Sequence, residues 1–443
     1  MPEDTSTERV SRWLAEHFGG RVTEIARQPR WRPAWLAEVE TGDARHSLYV
    51  RGERLDARIG FTLQHEMRLQ RLLGERGIPV SRVHGWIDEP AAYVMDRVAG
   101  AEHFGEATAA ERDAVMDAYM GALARIHALE VGPFAEAGIL RAEAPADSGR
   151  IGMQVYELAY RAAKKRPDPF LEFALGWLHR NPLAGATRES VVIWDTGQFL
   201  QAGGRLQAII DLEIGHIGDP MMDLAGFRMR AREIGFGDFD RLYAVYEASG
   251  GHPVDRAAIE HHYFSFALCN QLAFHAALAE PPAGSDYMMN LRWCVETNLY
   301  AIEALAARLA IDLEPVPSLE PRRAPVAAAH AHLVDALRRL GASAGGQEHE
   351  VRNAFRLARH LWRASEIGAA AEAADLADLE ALLGHRPPNW EEGDAALERF
   401  VADAGHADDA ALVRIFHRRL HRALATLGPA GSAIARHHPV ADF

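Results

Sequence analysis

Two short apolar runs, each closed by an acid, constrain this chain more than any other feature. The first is Val192-Ile-Trp-Asp195 and the second Ile209-Ile-Asp211, with Gly203 and Gly204 between them. The two acids stand about sixteen residues apart. A Gly-Gly pair between apolar runs marks a tight reversal, so the pattern predicts a short hairpin that brings two carboxylates to the same end of a sheet. Phosphoryl transfer needs such a pair. One carboxylate orients an attacking hydroxyl, and the other holds Mg²⁺ against nucleotide phosphates.

Behind the first acid runs Thr-Gly-Gln198-Phe-Leu, behind the second Leu-Glu213, and then Gly218-Asp219-Pro220-Met-Met-Asp223-Leu-Ala225. In order and spacing these blocks resemble the aminoglycoside phosphotransferase and choline kinase family of small-molecule kinases. In that family an Asp-x-x-x-x-Asn catalytic loop is followed by an Ile-Asp-Trp/Phe-Glu metal motif and by Gly-Asp-Pro-x-x-Asp-Leu-Ala. The second and third blocks match almost residue for residue, whereas the first departs. The resemblance covers residues 1 to about 312.

Bulk properties fit such a reading. At 443 residues the chain is long for one core, which predicts two or three domains. An apolar content of 48% and a charged content of 25% are ordinary for a soluble globular protein. A net charge of −14 argues against nucleic-acid or anionic-membrane partners. Cys269 and Cys294 lie in apolar helical stretches and read as buried thiols. The N-terminus has no signal pattern and no apolar run spans a membrane, so the expected location is cytoplasmic. A homo-oligomer is left open.

The expected fold is α+β: a two-lobed, protein-kinase-like fold with a small β-rich N-lobe and a mainly α C-lobe, plus a C-terminal all-α domain. In the N-lobe, residues 8–18 read as an amphipathic helix. Residues 36–40 and 47–51 read as two strands around a Gly42-Asp43 turn. A helical pattern covers 61–74, and short strand-like runs cover 78–80 and 92–95. The domains expected are an N-lobe over 1–98, a C-lobe with the catalytic hairpin over 99–312, a Pro-rich linker over 313–325 and a helical accessory domain over 326–443. Four prolines in about a dozen residues set the linker. Beyond it, helical patterns cover 327–340, 348–364, 369–383 and 410–427, and a tail is expected from His437.

The resemblance implies roles for particular residues. Arg51, ending the run Leu48-Tyr-Val-Arg51, stands where the family carries a phosphate-binding Lys or Arg, and Glu66 matches the helix Glu that pairs with it. Arg for Lys replaces a point charge by a planar fork. The segment from Met95 through Asp96 to Val98 looks like the hinge whose backbone meets adenine. Asp211 stands as the Mg²⁺ ligand, since a carboxylate closing a buried run is costly without a partner or cation. Glu213 offers a further contact. Asp219 and Asp223 read as architectural, with Asp219 at the N-cap of a helix. His216 faces the site by position, as a substrate contact or as a satisfied histidine.

Asp195 aligns in two ways. With two residues deleted, Trp194-Asp195-Thr-Gly-Gln198-Phe-Leu fits the family's loop; Asp195 is then the catalytic base, and Gln198 replaces the metal-binding Asn. Without the gap, Ile193 takes the base position and the site is inactive. A second departure is Arg27-Gln-Pro-Arg30-Trp-Arg32-Pro-Ala-Trp35, where the family has a glycine-rich loop. Its arginines read as phosphate ligands, as a cover, as a dock for an anionic substrate such as a CoA thioester, or as a solvated basic loop. The basic segment with Arg161 and Lys165, on one helix face, suits an anionic acceptor. Hydroxyacyl-CoA kinases of this family fit that demand, and 326–443 loosely resembles their small helical accessory protein. The function expected is therefore ATP- and Mg²⁺-dependent phosphorylation of a small-molecule hydroxyl. The rival is a pseudokinase-type scaffold, for which the shortened loop, Gln198 and the missing glycines speak.

Overall fold

In the computed structural model of the chain, the residues described are 2–30, 32–42, 44–54, 60–183, 188–231, 234–341 and 348–427. They fall into two compact units, Met1–Val155 with Leu183–Tyr263, and Tyr156–Pro182 with Phe264–Phe443. The first unit begins with α1 (Pro2–Phe18), β1 (Arg21–Arg27), β2 (Ala34–Thr41), β3 (Ala44–Gly52), α2 (Leu63–Glu75), β4 (Val83–Ile87) and β5 (Ala92–Asp96). The strands form one antiparallel sheet in the order β1-β2-β3-β5-β4.

Period-two alternation sorts the two faces of this sheet. Trp35, Ala37 and Val39 of β2, Leu48 and Val50 of β3, and Ala92 and Val94 of β5 share a core with Val10 and Leu14 of α1. The register makes this consistent, with Trp35 opposite Val50 and Val50 opposite Val94. Tyr49, Tyr93 and Met95 point the other way and meet Leu63 and Met67 of α2. A one-residue slip would exchange the two sets, so burial on both faces fixes the register. Thr62 caps α2 by accepting from His65 N–H at 3.2 Å. The sequence hid β1, an edge strand that is mostly exposed and rich in charge. Residues 78–80, expected as a strand, are instead a turn in which Pro79 O accepts from Ile209 N–H at 2.7 Å; the edge strand is β4. Asp43, half of the expected turn, lies outside the described residues, as does the expected tail.

There follow α3 (Ala109–His127), α4 (Gly132–Glu136), α5 (Ile151–Ala163) and α6 (Pro169–Arg180), then β6 (Ser190–Val192), β7 (Phe199–Ala202), β8 (Arg205–Ile209) and β9 (His216–Gly218). Thr108 and Glu111 close a capping box at the start of α3. The expected single hairpin is corrected here. β7 and β8 do form a hairpin through Gly203 (φ +55°) and Gly204 (φ +68°), the left-handed pair that a tight hairpin turn requires. But β6, the run that leads to Asp195, pairs with β9 instead. The two acids thus sit beside two separate two-stranded ladders, Asp195 between β6 and β7 and Asp211 just after β8.

The remaining helices are α7 (Met221–Arg230), α8 (Phe239–Ala248), α9 (Arg256–Ala267), α10 (Cys269–Ala279), α11 (Tyr287–Arg308), α12 (Ala327–Gly341), α13 (Glu348–Leu383), α14 (Trp390–Asp403) and α15 (Asp409–Leu427). In the second unit α15 packs on α11 and α13, and α14 on α6. Phe416 stands edge-on to Phe170 and stacks on Phe173, with ring centres 5.5 and 5.4 Å away, and Leu427 meets Met288 and Val295. Helices on both sides of residues 313–325 therefore belong to one compact unit, and that segment runs between them without helix or strand. The patterns at 348–364 and 369–383 are one continuous α13 of 36 residues. The sequence hid α14, whose first turn is acidic and which holds a glycine, although Asn389 caps it by accepting from Glu392 N–H. Among the described residues no helix is long and apolar enough to cross a membrane.

Candidate active site

The loop between β6 and β7 carries Asp195, and α7 holds that loop in place. The buried Asp223 carboxylate, in the first turn of α7, accepts from Ile193 N–H at 3.0 Å and Trp194 N–H at 2.5 Å. It also accepts from His127 Nε2 at 3.0 Å, and Tyr246 OH donates to His127 Nδ1 at 2.7 Å. Three donors compensate the desolvation of this carboxylate. Thr196 OH donates to the Asp223 carbonyl, and Gly197 N–H donates to Tyr119 OH at 2.7 Å. Gly226 lets α7 approach, because a Cβ there would stand 2.1 Å from Trp194 O. Trp194 itself takes φ +66°, rare for a bulky residue and held here by the clamp.

From this clamped loop Asp195 presents its carboxylate to two donors. Gln198 Nε2 donates to Oδ2 at 2.8 Å, and Arg230 Nη2, from the end of α7, donates to Oδ1 at 2.5 Å. Burial lifts the Asp195 carboxyl to about 6, although Arg230 pulls it down. Ile193, by contrast, is fully buried.

A second cluster of charges meets Asp211. Arg51 of β3 holds Glu66 of α2 at 2.9 Å through Nε and donates to Asp211 Oδ1 at 2.5 Å through Nη2. Arg32, from the β1–β2 loop, is buried; it pairs with Glu213 and lies 3.6 Å from Glu66. Arg54 Nη1 reaches Glu213 at 3.3 Å. Three arginines therefore face Glu66, Asp211 and Glu213. Burial would raise the Asp211 carboxyl, but Arg51 and Arg32 hold it well below the usual carboxylate range. Burial raises the Glu66 carboxyl against the pull of Arg51. Burial also disfavours the Arg51 cation, yet Glu66 and Asp211 keep it protonated far above the usual range. Asp211 has φ +62°, a strained conformation that turns its carboxylate off the end of β8.

Arg51, Glu66, Asp211 and Gln198 line one cleft of about 170 Å³, with Tyr93, Met95, Asp96, Arg97 and Val98 along its wall. Asp96 N–H is engaged by Arg82 O and Arg97 N–H by Ser47 O, both at 2.9 Å. The Asp96 carboxylate accepts from His84 Nε2 at 2.6 Å.

Other residues singled out in the sequence stand elsewhere. His216 is fully buried against the β6–β7 loop, its ring edge-on to Trp194, and burial lowers it to about 4. Its Nδ1 donates to Ile214 O at 2.9 Å, and Gly152 and Gly218 leave room for the ring, so it is packing rather than a cleft residue. Arg161 and Lys165 lie in the second unit. Arg161 bonds Glu172 and Glu157, Lys164 bonds Glu172 at 2.6 Å, and Lys165 pairs with Glu280. Carboxylates of the chain already neutralise this basic segment, so its charge no longer argues for an anionic acceptor. Asp219 is one residue off the expected cap: Pro220 is the N-cap, and Asp219 Oδ1 accepts from Met221 N–H at 2.8 Å. Arg30 donates to Tyr49 OH at 3.0 Å, Arg32 turns inward, and Trp31 lies outside the described residues.

Arg32, Arg54 and Arg230 were not assigned to these contacts from sequence. Arg230 had one usable signal: it stands seven residues after Asp223, two helical turns along the same face. No local pattern marks Arg32 or Arg54 for Glu213.

Comparison with known proteins gives a family. The model of the phosphotransferase enzyme family matches residues 38–262, more than half the chain. No curated protein matches the sequence. Solved structures with a similar fold include a macrolide 2'-phosphotransferase from Brachybacterium faecium (17% identity, 63% of this chain and 94% of that one, TM-score 0.44). A choline kinase from Streptococcus pneumoniae is similar at 18% identity, over 69% of this chain and 99% of that one, with TM-score 0.46. A choline/ethanolamine kinase family protein from Mesorhizobium loti is similar at 15% identity, over 69% and 94%, with TM-score 0.42. Asp195, whose partner Gln198 lines the cleft, is not itself among the lining residues. With residues 38–262 matched, the chain belongs to the phosphotransferase enzyme family.

Proposed function

We propose that the protein transfers the terminal phosphoryl group of ATP, with Mg²⁺, to a hydroxyl of a small molecule. The observation that carries this reading is the Arg51 guanidinium held between Glu66 and Asp211 at the edge of a cleft walled by residues 95–98. In this reading Val98 N–H is the donor offered to an adenine, since the Asp96 and Arg97 amides serve the sheet. Arg51, kept straight by Glu66, turns from Asp211 to the phosphates.

The donor set suits a hard cation. Asp211 supplies a carboxylate, Glu213 another, and Gln198, with Nε2 on Asp195, has its Oε1 left for the ion. Mg²⁺ would supply charge neutralisation between the phosphate oxygens. Asp195 orients the acceptor hydroxyl and takes its proton, and a carboxyl titrating near 6 is ionised for that task at neutral pH. Arg230 and Gln198 fix its rotamer. Catalysis by these residues is positioning and charge compensation rather than covalent chemistry.

A binding module without turnover is a second reading. It is favoured by the pairs Arg51–Asp211 and Arg230–Asp195, which occupy both carboxylates with cations of the chain itself. The test is Mg·ATP binding by calorimetry followed by ADP release in an acceptor panel of aminoglycosides, macrolides, choline and hydroxyacyl-CoA esters. Mg²⁺-dependent turnover of one acceptor, lost in Asp195→Asn, is the expected result. Mg·ATP binding with no turnover of any acceptor favours the module, and no Mg·ATP binding overturns the proposal. The division into an N-lobe over 1–98, a C-lobe over 99–312, a linker over 313–325 and a helical accessory domain over 326–443 is proposed as the domain organisation of the chain, beside its two compact units.

A further inference from the structure

A second group of metal-ligating side chains lies in the other unit, on helices that take no part in the reading above. His417 and His421 stand four residues apart on α15, so both rings leave the same face. Their Nε2 atoms are 3.0 Å apart, with ring centres 4.4 Å apart and planes at 74°. Glu303 of the neighbouring α11 brings its carboxylate to the same point. One ligand atom from each of the three residues lies within 4.8 Å of the others.

We propose that Glu303, His417 and His421 bind one divalent transition-metal ion, Zn²⁺ by preference, and thereby tie α15 to α11. Two imidazole nitrogens held about 2.0–2.1 Å from one zinc at a tetrahedral angle stand about 3.3 Å apart, close to the spacing found. Two histidines and one carboxylate form a donor set that zinc takes with one open position for water. Imidazole selects zinc, copper, iron or nickel over Mg²⁺, which prefers oxygen ligands alone, so the ion here differs in kind from the one proposed beside Asp211. His417 is buried while His421 and Glu303 are partly exposed, which leaves the fourth position open to solvent. The histidines are visible in the sequence as His-x-x-x-His on a helix; the glutamate, more than a hundred residues upstream, is supplied by the packing of α11 on α15.

The test uses the full chain after treatment with a chelator. Calorimetric titration with Zn²⁺ is expected to give one tight site per chain, and loading with Co²⁺ to give the intense visible bands of a four-coordinate ion. His417 is buried, so the variants are the milder His421→Gln and Glu303→Gln, checked for folding by circular dichroism. His421→Gln should weaken zinc by more than about 100-fold, beyond what loss of an outer-shell partner causes. Glu303→Gln should weaken it by at least about 10-fold. The double variant His330→Gln/His332→Gln, which alters another histidine pair of the same unit, should leave affinity unchanged. Zinc is also expected to raise the melting temperature of the wild type and not of His421→Gln. Absence of a tight site, or equal affinity in folded His421→Gln, overturns the proposal and leaves the 3.0 Å contact as a hydrogen bond between the two rings.

Discussion

Removing Arg230 should move the titration of Asp195 upward, and the size of the move follows from the geometry. The two side chains meet at 2.5 Å, which puts their charge centres roughly 4 Å apart. At an effective dielectric constant near 20 such a pair is worth about 4 kcal/mol, or about three pH units at 1.36 kcal/mol each. Both side chains keep some solvent contact, 25% for Arg230 and 19% for Asp195, and water screens the pair. A shift of about 1–1.5 units is therefore expected in Arg230→Gln. The wild-type carboxyl titrates at about 6, so the variant should titrate at about 7–7.5. Carbon-13 NMR of aspartate side-chain carboxyls, with the Asp195 signal assigned by its loss in Asp195→Asn, reads this directly. A midpoint that stays at the wild-type value or falls would refute the account of Arg230. The linkage has a definite sign. A carboxyl raised by folding favours the folded state below its unfolded pKa, and that contribution is lost as pH rises through the folded value. Asp195→Asn should thus gain stability over wild type between about pH 4 and 6 and level off above, as urea midpoints at several pH values would record.

Three further outcomes follow from the same contacts. Asp211→Asn keeps a residue that tolerates φ +62° but removes the charge, so it should fold and lose Mg²⁺-dependent nucleotide binding; unchanged Mg·ATP affinity by calorimetry rejects Asp211 as the metal ligand. Gly226→Ala forces a Cβ against Trp194 O and should cost about 1–3 kcal/mol, seen as a lower melting temperature together with weakened activity; an unchanged melting temperature rejects the tight approach of α7 to the loop. A chain ended at 312 loses α12 to α15 and uncovers Phe170, Phe173, Met288 and Val295, so it should aggregate. A monodisperse, cooperatively melting fragment would instead show that the proline-rich segment divides two independent folding pieces.

The sequence alone carried the local chemistry. Ile209-Ile-Asp211-Leu-Glu213 and Gly218-Asp219-Pro220 through Asp223 identify the family because each block needs its residues at fixed chain spacing. Gly203-Gly204 predicted its turn because only glycine enters two left-handed positions in succession at no steric cost. The strand-like runs at 36–40, 47–51 and 92–95 announced β2, β3 and β5, whose sheet packs on both faces. What chain spacing does not encode was settled by packing. The partner of β6 is β9 rather than β7, since Asp223 and Gly226 of α7 grip the β6–β7 loop from the far side. Arg230 reaches Asp195, Arg32 reaches Glu213, and the basic run at 161–166 meets Glu157, Glu172 and Glu280, each through contacts made by elements distant in sequence. A charge in a sequence shows only that a counter-charge is needed when it is buried. Which one it meets depends on which helices share an interface, and the tertiary structure alone decided that.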